Sequence, residues 1–599
     1  MKILRHPILI VLFVILWTAC AKEEPTTAEI NPVSENLLPN IEEDPNLVLG
    51  SWNLTTVNSA SDTQTIGTAC EATNIHFLED NAFYLNYLDK RVKGSYEIID
   101  SVSINLSSGS NLIGSVNQVM VDGNTLNLSI DIDGACASTY NGERYFRIHQ
   151  FIWESLNELY LWQEEVPALN NSNAPGSAAY SQLIQPYPEP ESFFESLKHE
   201  DDKYSIIQSN YVDLENSIKG IDANNGVNFI LSRYGVDDHI LGVVTYILPE
   251  SDAADKDIQR GDVFIGVNGQ SLNMSNYRAL LYGDNLDYTL NMADINNNVI
   301  SSNGKNIPLT KTENFQSNPI HIHKVIELGG SKVGYLMYNQ FADGFDNALN
   351  DVFADFKTEQ VNEVVIDLRY NGGGLTRSAV NLAGMITGQF DGQVFSKNIW
   401  NTKLMEFFNQ NKESYASWLG ENFTNVLRDG TAINSLNLNR VYVITSNRSA
   451  SSSELVINGL APYINVVQVG DNTYGKNVGG PSAVYDYIDN NRTKNPDHTY
   501  AMYPMTFFSA NNQDFYDYAD GLSPQQDLLL KEDLTNLGVL GDVTEPLLSL
   551  ALNHISGNTA ARSDFRYPNF PLENTVDDPH FLRDQLITCL KEFSLIDLD

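Results

Sequence analysis

The run Ser449-Ala450-Ser451-Ser452-Ser453-Glu454 follows an apolar stretch, Val441-Tyr442-Val443-Ile444, and opens a segment with helical character from about 452 to 460. A nucleophile at such a junction meets the unpaired N–H groups of a helix's first turn, and the helix dipole favours negative charge there. A tetrahedral oxyanion formed beside Ser451 would find its donors in place. The same serines also suit a plain helix cap, with Glu454 completing a capping box. Lys476, twenty-five residues on in Tyr474-Gly475-Lys476, favours the chemical reading. A serine hydroxyl needs a base, and lysine serves only when neutral. Burial can lower an ammonium from ~10.4 toward ~7–8 because desolvation disfavours its charge. Tyr474 and Val478 supply apolar flanks. The glycine-rich turn Asn371-Gly372-Gly373-Gly374 is the third element: backbone without side chains can approach a ligand closely and expose N–H groups. On its own such a turn is also an ordinary strand-to-helix connection.

The elements that must hold these groups are legible around them. Val364 to Leu368, Val441 to Ile444 and Val466 to Val469 are near-continuous apolar runs. They alternate with helical segments from about Thr376 to Ile386 and from about Ser452 to Leu460. Fully apolar strands between helices imply a sheet covered on both faces. Upstream, residues 149–218 show helical spacing of Phe151, Ile152, Leu156, Leu159 and Tyr160, and then of Phe193, Phe194 and Leu197. Residues 46–148 hold short alternating runs separated by turn clusters such as Asp122-Gly123-Asn124, an all-β pattern. Residues 20–45 are rich in Glu, Pro, Asn and Thr without apolar periodicity and read as a tether. Residues 1–19 carry Lys2 and Arg5, then an apolar run from Ile8 to Trp17, then small residues before Cys20, the layout of a signal segment.

Several of these strings resemble known families. Val365 to Gly374, Ser449 to Glu454 and Gly475-Lys476 together resemble the C-terminal processing (tail-specific) peptidases, family S41, as do Gly521-Leu522-Ser523-Pro524 and Glu545-Pro546-Leu547-Leu548 downstream. The resemblance spans roughly residues 150–555. It implies an α/β protease core over 301–599, with Ser451 as nucleophile, Lys476 as general base, and the N–H groups of Ser452 and Gly373 (or Gly374) as an oxyanion hole. Gly226-Val227-Asn228-Phe229 and the string Ile258 to Gly269 resemble a PDZ domain, here placed at 219–300. That likeness implies that Gly226 and Phe229 help bind a peptide's C-terminal strand. Gly50-Ser51-Trp52 resembles the opening of small lipocalin-like domains; whether that domain binds a ligand or acts as a spacer stays open. Residues 18–20 resemble a bacterial lipobox, which implies lipidation of Cys20. The following Ala21-Lys22-Glu23-Glu24 resembles a surface-export signal of Bacteroidetes lipoproteins. The implied location is the outer membrane, facing the periplasm or the outside. The family pattern also puts Gln where this chain has Gly480, Asp where it has Pro462, and Gly where it has Asn228.

Composition narrows the partners. With 36 basic and 76 acidic side chains among 599 residues, the formal charge is −40. Nucleic acid and acidic lipid surfaces would both be repelled, leaving Cys20 as the only expected membrane link. Among the cysteines, Cys70 and Cys136 share one small domain of an exported chain, where a disulfide is permitted; Cys589 is left over. The ten histidines form no metal-ligand spacing, so no metal or organic cofactor is expected. Gly470 to Lys476 mimics a phosphate-binding loop, but Asn477 stands where Ser or Thr should hold magnesium, and Gly479-Gly480-Pro481 follows where a helix should. The expected function is therefore a serine endopeptidase acting on proteins or peptides through an acyl-enzyme. The alternative is a weakly active or inactive peptide-binding surface lipoprotein on the same fold.

Overall fold

The structure, a computed structural model, describes residues 50–558 and 573–575, apart from 57–71 and the short stretches 78–80, 88–89, 109–110, 123–124, 133–135, 145–146, 219–220, 235–237, 284, 297–298, 481–482, 489–490 and 497. Residues 1–45, with Cys20, lie outside the described residues, as do Cys70 and Cys589. The chain divides into two compact units after Arg144.

In the first unit eight antiparallel strands, from Gly50–Thr56 to Cys136–Arg144, close into a barrel in which the first pairs with the last. Every second residue turns inward: Trp52 and Leu54, Ile75 and Phe77, Phe83 and Leu85, then Leu126, Leu128 and Ile130. Each such side chain contributes about 1.5–3 kcal/mol by leaving water, and closure leaves no edge strand.

The second unit begins with the helix Arg147–Leu159. Its Phe151, Ile152 and Leu156 pack on Phe193 and Phe194 of Pro190–Ser196. Asp202 fixes the exit of this segment. Tyr160 donates its hydroxyl to Oδ2 (2.7 Å), while the N–H groups of Tyr204 and Ser205 donate to Oδ1 (3.0 and 2.9 Å). Strand Ile206–Gln208 then pairs with Ala501–Tyr503 and anchors the segment on the rest of the unit.

An antiparallel sheet follows. Strand Val227–Arg233 pairs with Ile240–Ile247, and Val263–Val267 ends in the Asn268-Gly269 turn, both residues at positive φ (53° and 79°) as a tight hairpin requires. The hairpin of Asp287–Asn296 with Val299–Thr310 carries this sheet past residue 300, the boundary expected from sequence. Most of Val299–Thr310 is exposed, so it lacks the apolar alternation that would have marked it. Near the chain's end, Glu573–Thr575 joins the sheet edge at Ser232 and Arg233.

The α/β core is a sheet in the order Ile320–Leu328, Ser331–Tyr338, Glu363–Asp367, Arg440–Thr445, Asn465–Gly470, parallel from the second strand onward. Leu336, Val364, Ile366, Val441 and Val443 face the helices Asp346–Thr358, Thr376–Thr387 and Ser452–Leu460. Tyr335, Val365, Tyr442, Ile444 and Val469 face the helix Pro546–Ile555. Both faces are covered, which is why these strands read as unbroken apolar runs. The glycine-rich turn, the serine turn and the lysine turn each follow one of these strands at its carboxyl end, the position where open α/β sheets place their ligands.

Under that sheet lies a buried ion cluster. The guanidinium of Arg369, fully buried, bonds Asp367 (Nε–Oδ1 2.9 Å, Nη2–Oδ2 2.7 Å), Glu545 (Nη1–Oε1 2.6 Å) and Glu532 (Nη1–Oε1 3.0 Å). Arg260, from the antiparallel sheet, reaches the same Glu532 oxygen (2.9 Å) and the Tyr370 hydroxyl (2.7 Å). Such a cluster tolerates burial because nearly every charge finds an opposite one with bonded geometry.

Candidate active site

Ser451 occupies the N-cap of the helix Ser452–Leu460 with φ 56° and ψ −113°. Non-glycine residues avoid this backbone region, and holding one there costs of order 1–3 kcal/mol. The strain is enforced from both sides. Ala450 N–H and Ser453 Oγ donate to the Asn371 carbonyl (3.1 and 2.9 Å), and Ser452 Oγ donates to Gly374 O (2.6 Å). The turn holds the Ser451 side chain in a buried position, and among the described residues its Oγ has no hydrogen-bond partner. Ser451→Gly should therefore raise the unfolding free energy by about 1 kcal/mol while removing the hydroxyl. Chemical denaturation beside Ser451→Ala checks this; a glycine variant less stable than the alanine variant would refute the strain.

Gly373 has φ 120°, and a Cβ on it would lie 2.7 Å from Ser451 Cβ. Only glycine lets the turn come this close to the serine. Its N–H donates to Asn371 Oδ1 (2.9 Å), so this expected oxyanion donor is engaged within its own turn. Ser452 N–H sits at the first helical position, where a helix provides no acceptor.

Lys476 is 1% exposed, and its ammonium lies 5.2 Å from the centre of the Tyr204 ring. Burial pushes its pKa down to about 7, against the opposing pull of the Glu454 and Asp202 carboxylates. Asp202 and Tyr204 come from the N-terminal helical segment, more than two hundred residues away in sequence, and sequence patterns gave no sign of either.

Glu454 joins the two turns. Its Oε2 accepts from Ser451 N–H (2.8 Å) and Lys476 N–H (2.9 Å), and its Oε1 from Gly475 N–H (2.6 Å) and Thr473 Oγ1 (2.6 Å). Burial pushes this carboxyl up to about 7, while the four donors favour the ionised form. With donors on both oxygens, a carboxylic O–H would face N–H groups, so the carboxylate is the form that fits. The capping-box pattern Ser-x-x-Glu was visible in the sequence and marked this residue, but as a helix cap only.

Gly480 stands at the Gln position of the family pattern. A Cβ there would lie 2.5 Å from Pro504 O, so glutamine cannot be added without moving the backbone. Beyond the core, Gly226 lies in the turn before Val227–Arg233 with φ 91°. The Phe229 ring packs on Phe264 (5.2 Å between centroids), so what this residue can offer a peptide is chiefly its backbone.

The model of peptidase family S41 matches residues 332–497, and that of the S41 N-terminal domain matches residues 147–206. Over these residues the chain carries the core and the N-terminal domain of a family S41 peptidase. It is accordingly a serine-type peptidase with protein or peptide substrates. No curated protein matches it. This S41 peptidase shares its fold with a solved protein described as an S41 protease from Bacteroides fragilis NCTC 9343, at 24% identity and a TM-score of 0.51 over 68% of this chain and 97% of that one. The photosystem II D1 C-terminal processing protease lies further off, at 16% identity and a TM-score of 0.38 over 65% and 94%. In this S41 peptidase the two matched regions are the ones that meet at Lys476: the N-terminal domain supplies Asp202 and Tyr204, the core supplies Ser451, Glu454 and the lysine.

Proposed function

We propose that this S41 peptidase is an endopeptidase working through a Ser451–Lys476 pair. The observation that carries the reading is a buried lysine with its pKa near 7, tied through one carboxylate to the backbone of a buried serine whose hydroxyl has no partner among the described residues. Neutral Lys476 takes the Ser451 proton as Oγ attacks the scissile carbonyl carbon. The resulting oxyanion is met by Ser452 N–H and by Gly373 N–H once that amide leaves Asn371. The ammonium then returns its proton to the departing amine, leaving an acyl-enzyme on Oγ, and water activated by the same lysine hydrolyses it. None of these steps draws on a metal or organic cofactor.

The engaged Gly373 amide favours a second reading, a resting or weakly active peptide-binding protein, and a fluorophosphonate probe separates the two. Covalent labelling of wild type that disappears in Ser451→Ala supports the peptidase mechanism; no labelling of folded wild type favours the second reading.

The remaining assignments belong to the same proposal. The antiparallel sheet with its Gly226 turn acts as a PDZ-like module for peptide C-termini. The closed barrel is a lipocalin-like domain. Cys20 carries a lipid that holds the protein at the outer membrane. Cys70 pairs with Cys136, which opens the last barrel strand.

A further inference from the structure

An open cleft lies between the antiparallel sheet and the α/β core. Asn225, Asn228 and Phe229 line it from the first strand of that sheet and the turn before it, Leu281 from a neighbouring helix, and Asn339 and Gln340 from the core. Two of the asparagines use their amides internally. Asn225 donates to the Tyr288 hydroxyl (2.7 Å), and Asn228 Oδ1 accepts from Thr245 Oγ1 (2.7 Å). Asn339 is different. It is 9% exposed, and both its Oδ1 and its Nδ2 are buried with no hydrogen-bond partner among the described residues. A buried carboxamide without partners costs free energy, which a ligand entering the cleft would recover.

The cleft is placed for an extended chain. Strand Val227–Arg233 has Ile240–Ile247 on one side, while Glu573–Thr575 covers its other edge only at Ser232 and Arg233. Among the described residues no strand pairs with that edge of its first residues, beside Asn339. Asn339 also lies two residues before Phe341, whose N–H donates to Gly373 O (2.8 Å) in the glycine turn beside Ser451.

We propose that Asn339 is a substrate-binding residue, pairing its carboxamide with the backbone N–H and C=O of one residue of an extended C-terminal segment added to Val227–Leu231. A primary amide offers one acceptor and two donors, the complement of a peptide N–H and C=O. The proposal rests on the reading that this strand edge accepts peptides, and it gives the core a share in that recognition.

The test uses the full chain carrying Ser451→Ala, so that binding is read without turnover. The probe is a short fluorescein-labelled peptide with apolar C-terminal residues and a free carboxylate, followed by anisotropy. Asn339→Ala should weaken its Kd about tenfold, as loss of two neutral hydrogen bonds implies, while the melting temperature stays level or rises. A structural asparagine would instead lower melting and affinity together, and that result overturns the proposal. So does an unchanged Kd, or absence of saturable binding to the folded Ser451→Ala chain. The C-terminal amide of the same peptide should bind more weakly; equal binding overturns the orientation toward the Gly226 turn. In the catalytic background Asn339→Ala should raise KM and leave kcat unchanged. Failure of the Ser–Lys mechanism would show in the fluorophosphonate experiment and leave these binding results intact.

Discussion

kcat/KM of the wild-type protein should rise through a single ionisation near pH 7, and Lys476→Met should lose about 10²–10⁴-fold of it on the plateau above that pH. The sign follows from which form works. Burial lowers the lysine to about 7, and only the neutral amine above that pH can accept the Ser451 proton. The same shift affects stability. Between about 7 and the ordinary value of 10.5 the unfolded chain holds a proton that the folded chain has lost, so this group makes stability increase with pH across that window. Lys476→Met removes the contribution and should flatten that rise in melting temperature. A profile with a histidine-like midpoint that survives in Lys476→Met would end the assignment.

Arg369→Met should destabilise the protein by at least about 3–5 kcal/mol, the range found when one partner of a buried ion pair is removed. The substitution leaves Asp367 and Glu545, both essentially inaccessible to solvent, without their guanidinium, and takes one of two arginines from Glu532. Calorimetry of wild type and variant gives the answer; unchanged melting would mean that the cluster contributes nothing net. Arg369→Lys should recover only part of the loss, because an ammonium cannot span Asp367 and Glu545 with paired bonds.

What the sequence revealed follows how local each feature is. The helix Ser452–Leu460 and the three apolar strands around it were readable because burial on both faces imposes a pattern on consecutive residues. Ser451 and Lys476 were readable because each sits at a strand's carboxyl end in a short recognisable string. Asp202, Tyr204 and Asn339 were not, since their roles arise from contacts across long stretches of chain that no window of sequence contains. Glu454 lay between these cases: its spacing from Ser451 was visible, but its bonds to Gly475 and Lys476 required the lysine turn to be folded beside the serine turn. The exposed hairpin to Thr310 escaped for the opposite reason, having too little buried surface to impress a pattern.

The ion cluster under the sheet also has a consequence for biosynthesis. Its members come from positions 260, 367, 369, 532 and 545, so it cannot assemble until Glu545 has been made. At ~5–20 residues per second the ribosome needs roughly 15–60 s to travel from Arg260 to Glu545. From its own synthesis until Glu532 emerges, Arg369, two residues before the Asn371 that braces the serine turn, has Asp367 alone among its carboxylate partners in the cluster. A nascent chain therefore carries the nucleophile and the lysine before it has the carboxylates that fix the strand beneath them. Glu532 and Glu545 thus set the earliest moment at which the strand under the candidate site can be locked in place.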